Sequence, residues 1–262
     1  MVEKFEKTSR IALLIDGDNA QPSLVGKILA EAGKYGLVTI RRIYGDWTTS
    51  SMSGWKKALH ESAIQPVQQF RFTVGKNATD SALIIDAMDI LHSHLVDGFC
   101  VVSSDSDYTR LATRIREMAF FVMGIGKRST PRSFVNACNV FIYTENLVPR
   151  EQHERKKARG RDLPGKEEAA VEPEKEDQND KNRRYDPVPL LKGAFDMAVR
   201  EDGWANLGEL GFYLRQLDPG FDPRTYGFKQ LSQLIRNYKP LFEIHSKGDE
   251  EGGAAIYVKM KD

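Results

Sequence analysis

Cysteine is nearly absent: the 262-residue chain has two, Cys100 and Cys138. Each lies in an apolar context without CxxC spacing, which excludes a zinc site or disulfide framework and suits a reducing compartment. Long apolar runs are also missing. No stretch approaches the twenty residues a membrane helix needs, and the short run Ile11 to Ile15 is interrupted at once by acids, unlike a secretory signal. The chain therefore reads as cytoplasmic, with no membrane partner. Charge of one sign is missing too: 38 Lys and Arg balance 37 Asp and Glu, for a net +1. No whole-chain basicity advertises nucleic acid, so any such site must be local. The five histidines, His60, His92, His94, His153 and His245, show no ligand spacing.

What is present falls into three zones: 9–148, 149–186 and 187–262. In the first, short apolar runs alternate with helical patterns. Strands are expected at 11–15, 38–44, 64–70, 99–103, 120–124 and 140–143, and helices at 23–35, 53–63, 79–95, 107–118 and 133–137. Pro66 makes the third strand an edge or irregular one. This alternation predicts an α/β fold, a mostly parallel sheet flanked by helices on both faces. The middle zone holds almost no aromatic or branched apolar residues and reads as a flexible charged linker, because it cannot bury enough surface to offset the entropy of ordering. Apolar periodicity returns in the third zone, a small domain.

Open parallel sheets place functional groups past the carboxyl ends of their strands, and acids recur there. Asp16, Asp18 and Asn19 follow the first strand in IDGDN, Asp46 follows the second in YGDW, and Asp105 and Asp107 follow the fourth in SSDSDY. Asp80 opens a helix, with Asn77 or Thr79 as a candidate N-cap. A single aspartate after a strand is usually a turn or cap residue. Several converging on one rim repel each other, so protonation or a cation must neutralise them. Oxygen ligands without histidine or cysteine favour Mg²⁺ or Mn²⁺ over zinc. Such ions activate water and stabilise a leaving oxygen, and phosphodiester hydrolysis is the natural use. Asp80 and Asp86 are six residues apart, about 600° of helix rotation, so both cannot face one site. Asp80, nearer the rim, is preferred; Asp86 and Asp89 cap, pair or face solvent.

The motifs IDGDN, YGDW, GKNATDSALIIDAMD and VSSDSDYTRLATRIRE together resemble the NYN domains, relatives of the PIN nucleases, in particular their bacterial LabA-like branch. The resemblance spans roughly residues 9 to 147. It implies a PIN-like fold and a metal-dependent ribonuclease site, with endonuclease action favoured, that uses metal-activated water and leaves a 5′-phosphate and a 3′-hydroxyl. By motif match it makes Asp16, Asp80 and Asp105 the catalytic metal carboxylates and adds Asp107 to the metal set. Asn19 is a supporting position, as is Asp18 beside it. Asp46 is a weaker member, because acids at that strand end vary in spacing. Ser104 stands where many members have Gly.

Other signals are less specific. GIGKRSTPRSF fails as a phosphate loop, because Phe121 stands where the first Gly should be and Arg128 follows Lys127. Lys127, Arg128 and Arg132 remain open as RNA-backbone contacts or a solvated loop, with Ser129 or Thr130 a candidate cap. Lys76 either meets a phosphate or offsets the acids. Trp47, Trp55, Phe70 and Phe72 are open to base stacking or to core packing, with packing favoured for most. Single-stranded RNA is the expected substrate.

In the third zone, helices at 190–199, 207–217 and 225–238 precede a hairpin of 242–245 and 256–259, a winged-helix-like arrangement. GWANLGELGFYLRQLDPGFDPRTYGFKQLSQLIRNYKPLFEI is similar to the LOTUS (OST-HTH) domain, which implies an accessory module that binds RNA or docks a protein. Arg224, Lys229, Arg236 and Lys239 give its third helix a basic side, as a solvated face also would. Two competing functions stay open: a phosphatase of the haloacid dehalogenase type, against which Ala20 occupies the position of a required Thr or Val, and a non-catalytic RNA-binding regulator.

Overall fold

A computed structural model describes residues 9–70, 78–148, 186–248 and 254–261. They form two compact units. The segment expected to be a linker lies outside the described residues except for Asp186.

The N-terminal unit runs β1 (Arg10–Asp16), α1 (Val25–Ala32), β2 (Leu37–Gly45), α2 (Trp55–Ser62), β3 (Gln65–Gln68), α3 (Ala78–Ser93), β4 (Gly98–Val102), α4 (Thr109–Glu117), β5 (Phe121–Gly126), α5 (Arg132–Ala137) and β6 (Val140–Tyr143). The six strands pair in the order β3-β2-β1-β4-β5-β6, every pair parallel. In β1, β4 and β5 nearly every residue is buried, as a parallel sheet covered on both faces requires. This is the reason these runs are continuously apolar rather than alternating. Pro66 lies on the edge strand β3, where its missing N–H costs no ladder bond.

The core gathers Leu14 and Val101 from the sheet, Leu83, Ala87 and Leu91 from α3, Leu111 and Ile115 from α4, and Phe134 from α5. Cys100 and Cys138 are buried free thiols acting as small apolar groups. The strand order reverses between β1 and β4, and the crevice beyond their carboxyl ends is where such sheets place their sites.

Two local expectations are corrected. Helix α3 begins at Ala78, so Thr79 sits inside its first turn and is no N-cap; its buried hydroxyl finds no hydrogen-bond partner among the described residues. Asn77 lies outside them. Thr130 does not cap α5 either: Pro131 takes that position without a side-chain bond, and the Thr130 hydroxyl donates back to the Lys127 carbonyl at 2.6 Å.

The C-terminal unit runs α6 (Val188–Ala198), β7 (Ala205–Asn206), α7 (Leu207–Leu217), α8 (Leu231–Asn237), β8 (Phe242–Gly248) and β9 (Ala254–Met260). Leu191, Phe195, Leu210, Leu214, Leu234, Ile235, Phe242 and Val258 are buried. The strands make an antiparallel sheet in the order β7-β9-β8, so the expected hairpin carries a third, two-residue strand too short to show a period. The third helix is shorter than 225–238. Asp222 caps a 3-10 turn over Pro223–Tyr226, Gly227 closes it at φ 91°, and α8 starts four residues later. That left-handed Gly227 interrupts the apolar periodicity that made one helix plausible.

Candidate metal centre

The turn after β1 presents Asp16, with 1% of its surface exposed. Its carboxylate accepts from Asn19 Nδ2 at 2.7 Å, from Ser103 Oγ at 2.9 Å and from the Asp18 amide at 3.1 Å. Burial outweighs these donors and holds the carboxyl above its ordinary value. Gly17 is required in this turn: a Cβ there would lie 2.7 Å from the Tyr44 carbonyl oxygen and 2.6 Å from Met52 Cε.

The turn after β4 carries Asp105, which accepts from the Asp107 amide at 2.9 Å and so caps the 3-10 turn Ser106–Tyr108. Ser103 joins the two turns, donating to Asp16 while its Oγ accepts from the Asp105 amide at 3.1 Å. Across the crevice, α3 presents Asp80, which accepts from the Tyr108 hydroxyl at 2.6 Å. Burial holds that phenol far above its usual range, helped by the Asp16 charge, so it stays a proton donor. Asp80 is itself raised: burial is the largest cause, the Tyr108 bond opposes it, and the charges of Asp16, Asp105 and Asp107 add to it.

Carboxylate oxygens of Asp80, Asp105 and Asp107 all lie within 4.8 Å of one another. Helix α3 and the β4 turn therefore bring together acids spread over 28 residues, and buried Asp16 is joined to the β4 turn through Ser103. Asp46 lies outside that group of three. It is 7% exposed, and its Oδ1 accepts from the Thr48 hydroxyl at 2.6 Å, from the Thr48 amide at 3.1 Å and from Gln68 Nε2 at 3.0 Å. Asp18 is exposed and contributes its amide to Asp16. Asp86 is paired with Arg42 and Tyr44. Ser104 Oγ accepts from the Lys127 amide at 2.9 Å, tying the β4 turn to the β5 turn.

Lys127, Arg128 and Arg132 are exposed, and the Arg128 amide donates to the Glu145 carboxylate. Lys76 and Phe72 lie outside the described residues. Trp55 is 1% exposed and belongs to the core; Trp47 Nε1 is anchored on the Val67 carbonyl at 3.0 Å; Phe70 is half exposed. In the C-terminal unit Lys229, Arg236 and Lys239 are exposed, whereas Arg224 is turned onto its own cap, 2.7 Å from Asp222. Sequence reasoning missed Ser103 and Tyr108. Both sit inside the SSDSDY motif that flagged their neighbours.

A family model described as NYN domain matches residues 10–145, more than half of the chain. This chain belongs to the NYN domain family. NYN domains are part of the PIN-like nuclease superfamily, and a second model, the OST-HTH/LOTUS domain, matches residues 186–253 and points to RNA binding. No curated protein matches. Among solved structures, the NYN chain is similar to a protein of unknown function from Vibrio parahaemolyticus at 18% identity, covering 52% of this chain and 93% of that one with a TM-score of 0.45. It is also similar to an uncharacterised protein from Nitrosomonas europaea at 30% identity, covering 38% of this chain and 90% of that one with a TM-score of 0.27.

Proposed function

We propose that this NYN protein is a divalent-metal-dependent ribonuclease of the LabA-like branch, cleaving single-stranded RNA in the cytoplasm as an endonuclease, with its LOTUS unit recruiting RNA or a protein partner. The domain limits that go with this reading are 9–148, 149–186 and 187–262. The observation that carries it is the Asp80, Asp105 and Asp107 group at the reversal point of the sheet, backed by buried Asp16. The donor set fits a hard cation: the three gathered side chains offer carboxylate oxygens, the preference of Mg²⁺ or Mn²⁺. Asp80 fits as well: burial first, and then the charges of Asp16, Asp105 and Asp107, disfavour its bare carboxylate, and a cation would relieve both.

In this reading Asp80, Asp105 and Asp107 hold the ion, and Asp16 completes the catalytic carboxylates. When bound, such an ion lowers the pKa of water and polarises a phosphoryl oxygen. The chain's own groups do the rest. Tyr108 fixes the Asp80 carboxylate through Oδ1, Asn19 and Ser103 fix Asp16, and Ser104 holds the loop of Lys127. Exposed Lys127, Arg128 and Arg132 are placed by this reading on RNA phosphates, with Lys76, and Lys229, Arg236 and Lys239 act likewise in the LOTUS unit. Asp46, held by its own turn, is an outer member of the acid set, and Asp18 supports through its amide.

The test offers the wild-type chain a circular, unstructured RNA and p-nitrophenyl phosphate, each with Mn²⁺, Mg²⁺ or EDTA. Metal-dependent linearisation, leaving a 5′-phosphate and a 3′-hydroxyl, is expected. Turnover of the monoester without RNA cleavage points to a phosphatase, and binding of RNA without either reaction to a regulator.

A further inference from the structure

Helix α3 carries Asp80, and six residues on it carries Asp86, which takes no part in the gathered acids. Two side chains of β2 grip Asp86. Arg42 Nη1 donates to Oδ1, and the Tyr44 hydroxyl donates to Oδ2. Residues two apart on a strand share a face, so both donors reach one carboxylate and occupy both of its oxygens. Arg42 and Asp86 retain 29% and 25% side-chain exposure, while Tyr44 is fully buried. Packing of Leu83, Ala87 and Leu91 into the core limits the roll of α3, and two donors on the two oxygens of one carboxylate fix what remains. Burial keeps the Tyr44 phenol far above its ordinary range, and therefore a donor.

Tyr44 has a second attachment. Its carbonyl accepts from the Gly17 amide at 2.9 Å, in the turn that presents Asp16, and Tyr44 pairs in register with Asp16 across β1 and β2. One residue thus holds the Asp16 turn through its main chain and the Asp80 helix through its hydroxyl.

We propose that Arg42, Tyr44 and Asp86 are positioning residues that set the rotation of α3, and with it the place of Asp80 among the metal-binding carboxylates. This rests on the metal reading given above. Groups hydrogen-bonded directly to a metal ligand typically alter affinity about 10- to 100-fold, and a clamp that acts through the helix belongs at the low end of that range.

The test is Mn²⁺ binding to the full chain, read from the loss of the free-ion paramagnetic resonance signal, together with thermal melts in EDTA. Wild type, Tyr44→Phe, Asp86→Asn and the double variant are compared. Both single variants are expected to bind Mn²⁺ about tenfold more weakly, with a cooperative melt retained. The double variant should be little weaker than Asp86→Asn, since both changes open one clamp. A folded Tyr44→Phe with wild-type Mn²⁺ affinity overturns the proposal, whatever its melting temperature, because a merely structural contact moves the melt and not the metal. Should Asp86→Asn fail to fold, Tyr44→Phe, which loses one hydroxyl, decides alone. Absence of Mn²⁺ binding by wild type would instead remove the metal reading itself, an outcome distinct from bound metal that ignores the clamp.

Discussion

Replacing Asp105 by Asn separates the stability of the metal-free NYN unit from its capacity to hold a cation. The substitution keeps size and keeps an oxygen for the Asp107 amide, and Asn caps as well as Asp. What it removes is one negative charge from three whose oxygens lie within 4.8 Å. At that separation one pair repels by about 1 kcal/mol in a water-like dielectric and about 3.5 kcal/mol at an effective value near 20. Asp107 is exposed, which favours the lower figure for its pair. With its pairs to Asp80 and Asp107 both near the water-like figure, Asp105→Asn should stabilise the metal-free unit by about 1–2 kcal/mol, which at about 2–4 °C per kcal/mol raises its melting temperature by roughly 2–8 °C. Wild type should gain its own stabilisation from Mn²⁺, about 2.7 kcal/mol at a hundredfold excess over the dissociation constant, and Asp105→Asn should gain little. Differential scanning calorimetry in EDTA and in Mn²⁺ reads both effects. A variant that melts lower than wild type in EDTA, or keeps the full Mn²⁺ shift, refutes the electrostatic reasoning.

Further consequences concern pH and the basic residues. Asp16 and Asp80 are raised above the ordinary carboxylate value in the folded protein, so between the unfolded and folded values the native state binds more protons than the unfolded one. Metal-free stability should accordingly fall as pH rises through that window and then level off, a slope that Asp16→Asn should flatten in urea titrations. Mn²⁺ affinity should run the opposite way and weaken as pH falls into the same window. Charge reversal of Lys229, Arg236 and Lys239 together should lower affinity for single-stranded RNA and reduce the salt slope by about 2, if all three meet phosphates. Arg224→Ala, which loses its ion pair with Asp222, should lower the melting temperature of the LOTUS unit while sparing RNA affinity.

The parallel sheet was legible because fully buried strands are written as continuous apolar runs such as Ile11 to Ile15, and Pro66 marked the edge. The five α-helices described in the N-terminal unit lay within a few residues of their expected places, whereas the 3-10 turn at Thr144–Leu147 was not expected. Asp80, Asp105 and Asp107 were legible because each sits where a strand or helix end meets the crevice. Other features depended on distances that spacing does not encode. Asp46 follows a strand just as Asp16 does, yet Asp16 is joined to the Asp105 turn through Ser103 whereas Asp46 is held by Thr48 and Gln68. Tyr108 reads as one more core aromatic until its hydroxyl is seen on Asp80. In the C-terminal unit Gly227 broke a helix that periodicity alone had run together, and Arg224 left the basic face to pair with its own cap.

The most direct test of the central claim incubates end-labelled single-stranded RNA with wild type, Asp16→Asn and Asp105→Asn, in Mn²⁺, Mg²⁺ or EDTA. Cleavage by wild type that needs the metal and disappears in both variants is the predicted result. No cleavage by wild type, or equal cleavage by all three proteins, would contradict the assignment of these carboxylates as the catalytic centre.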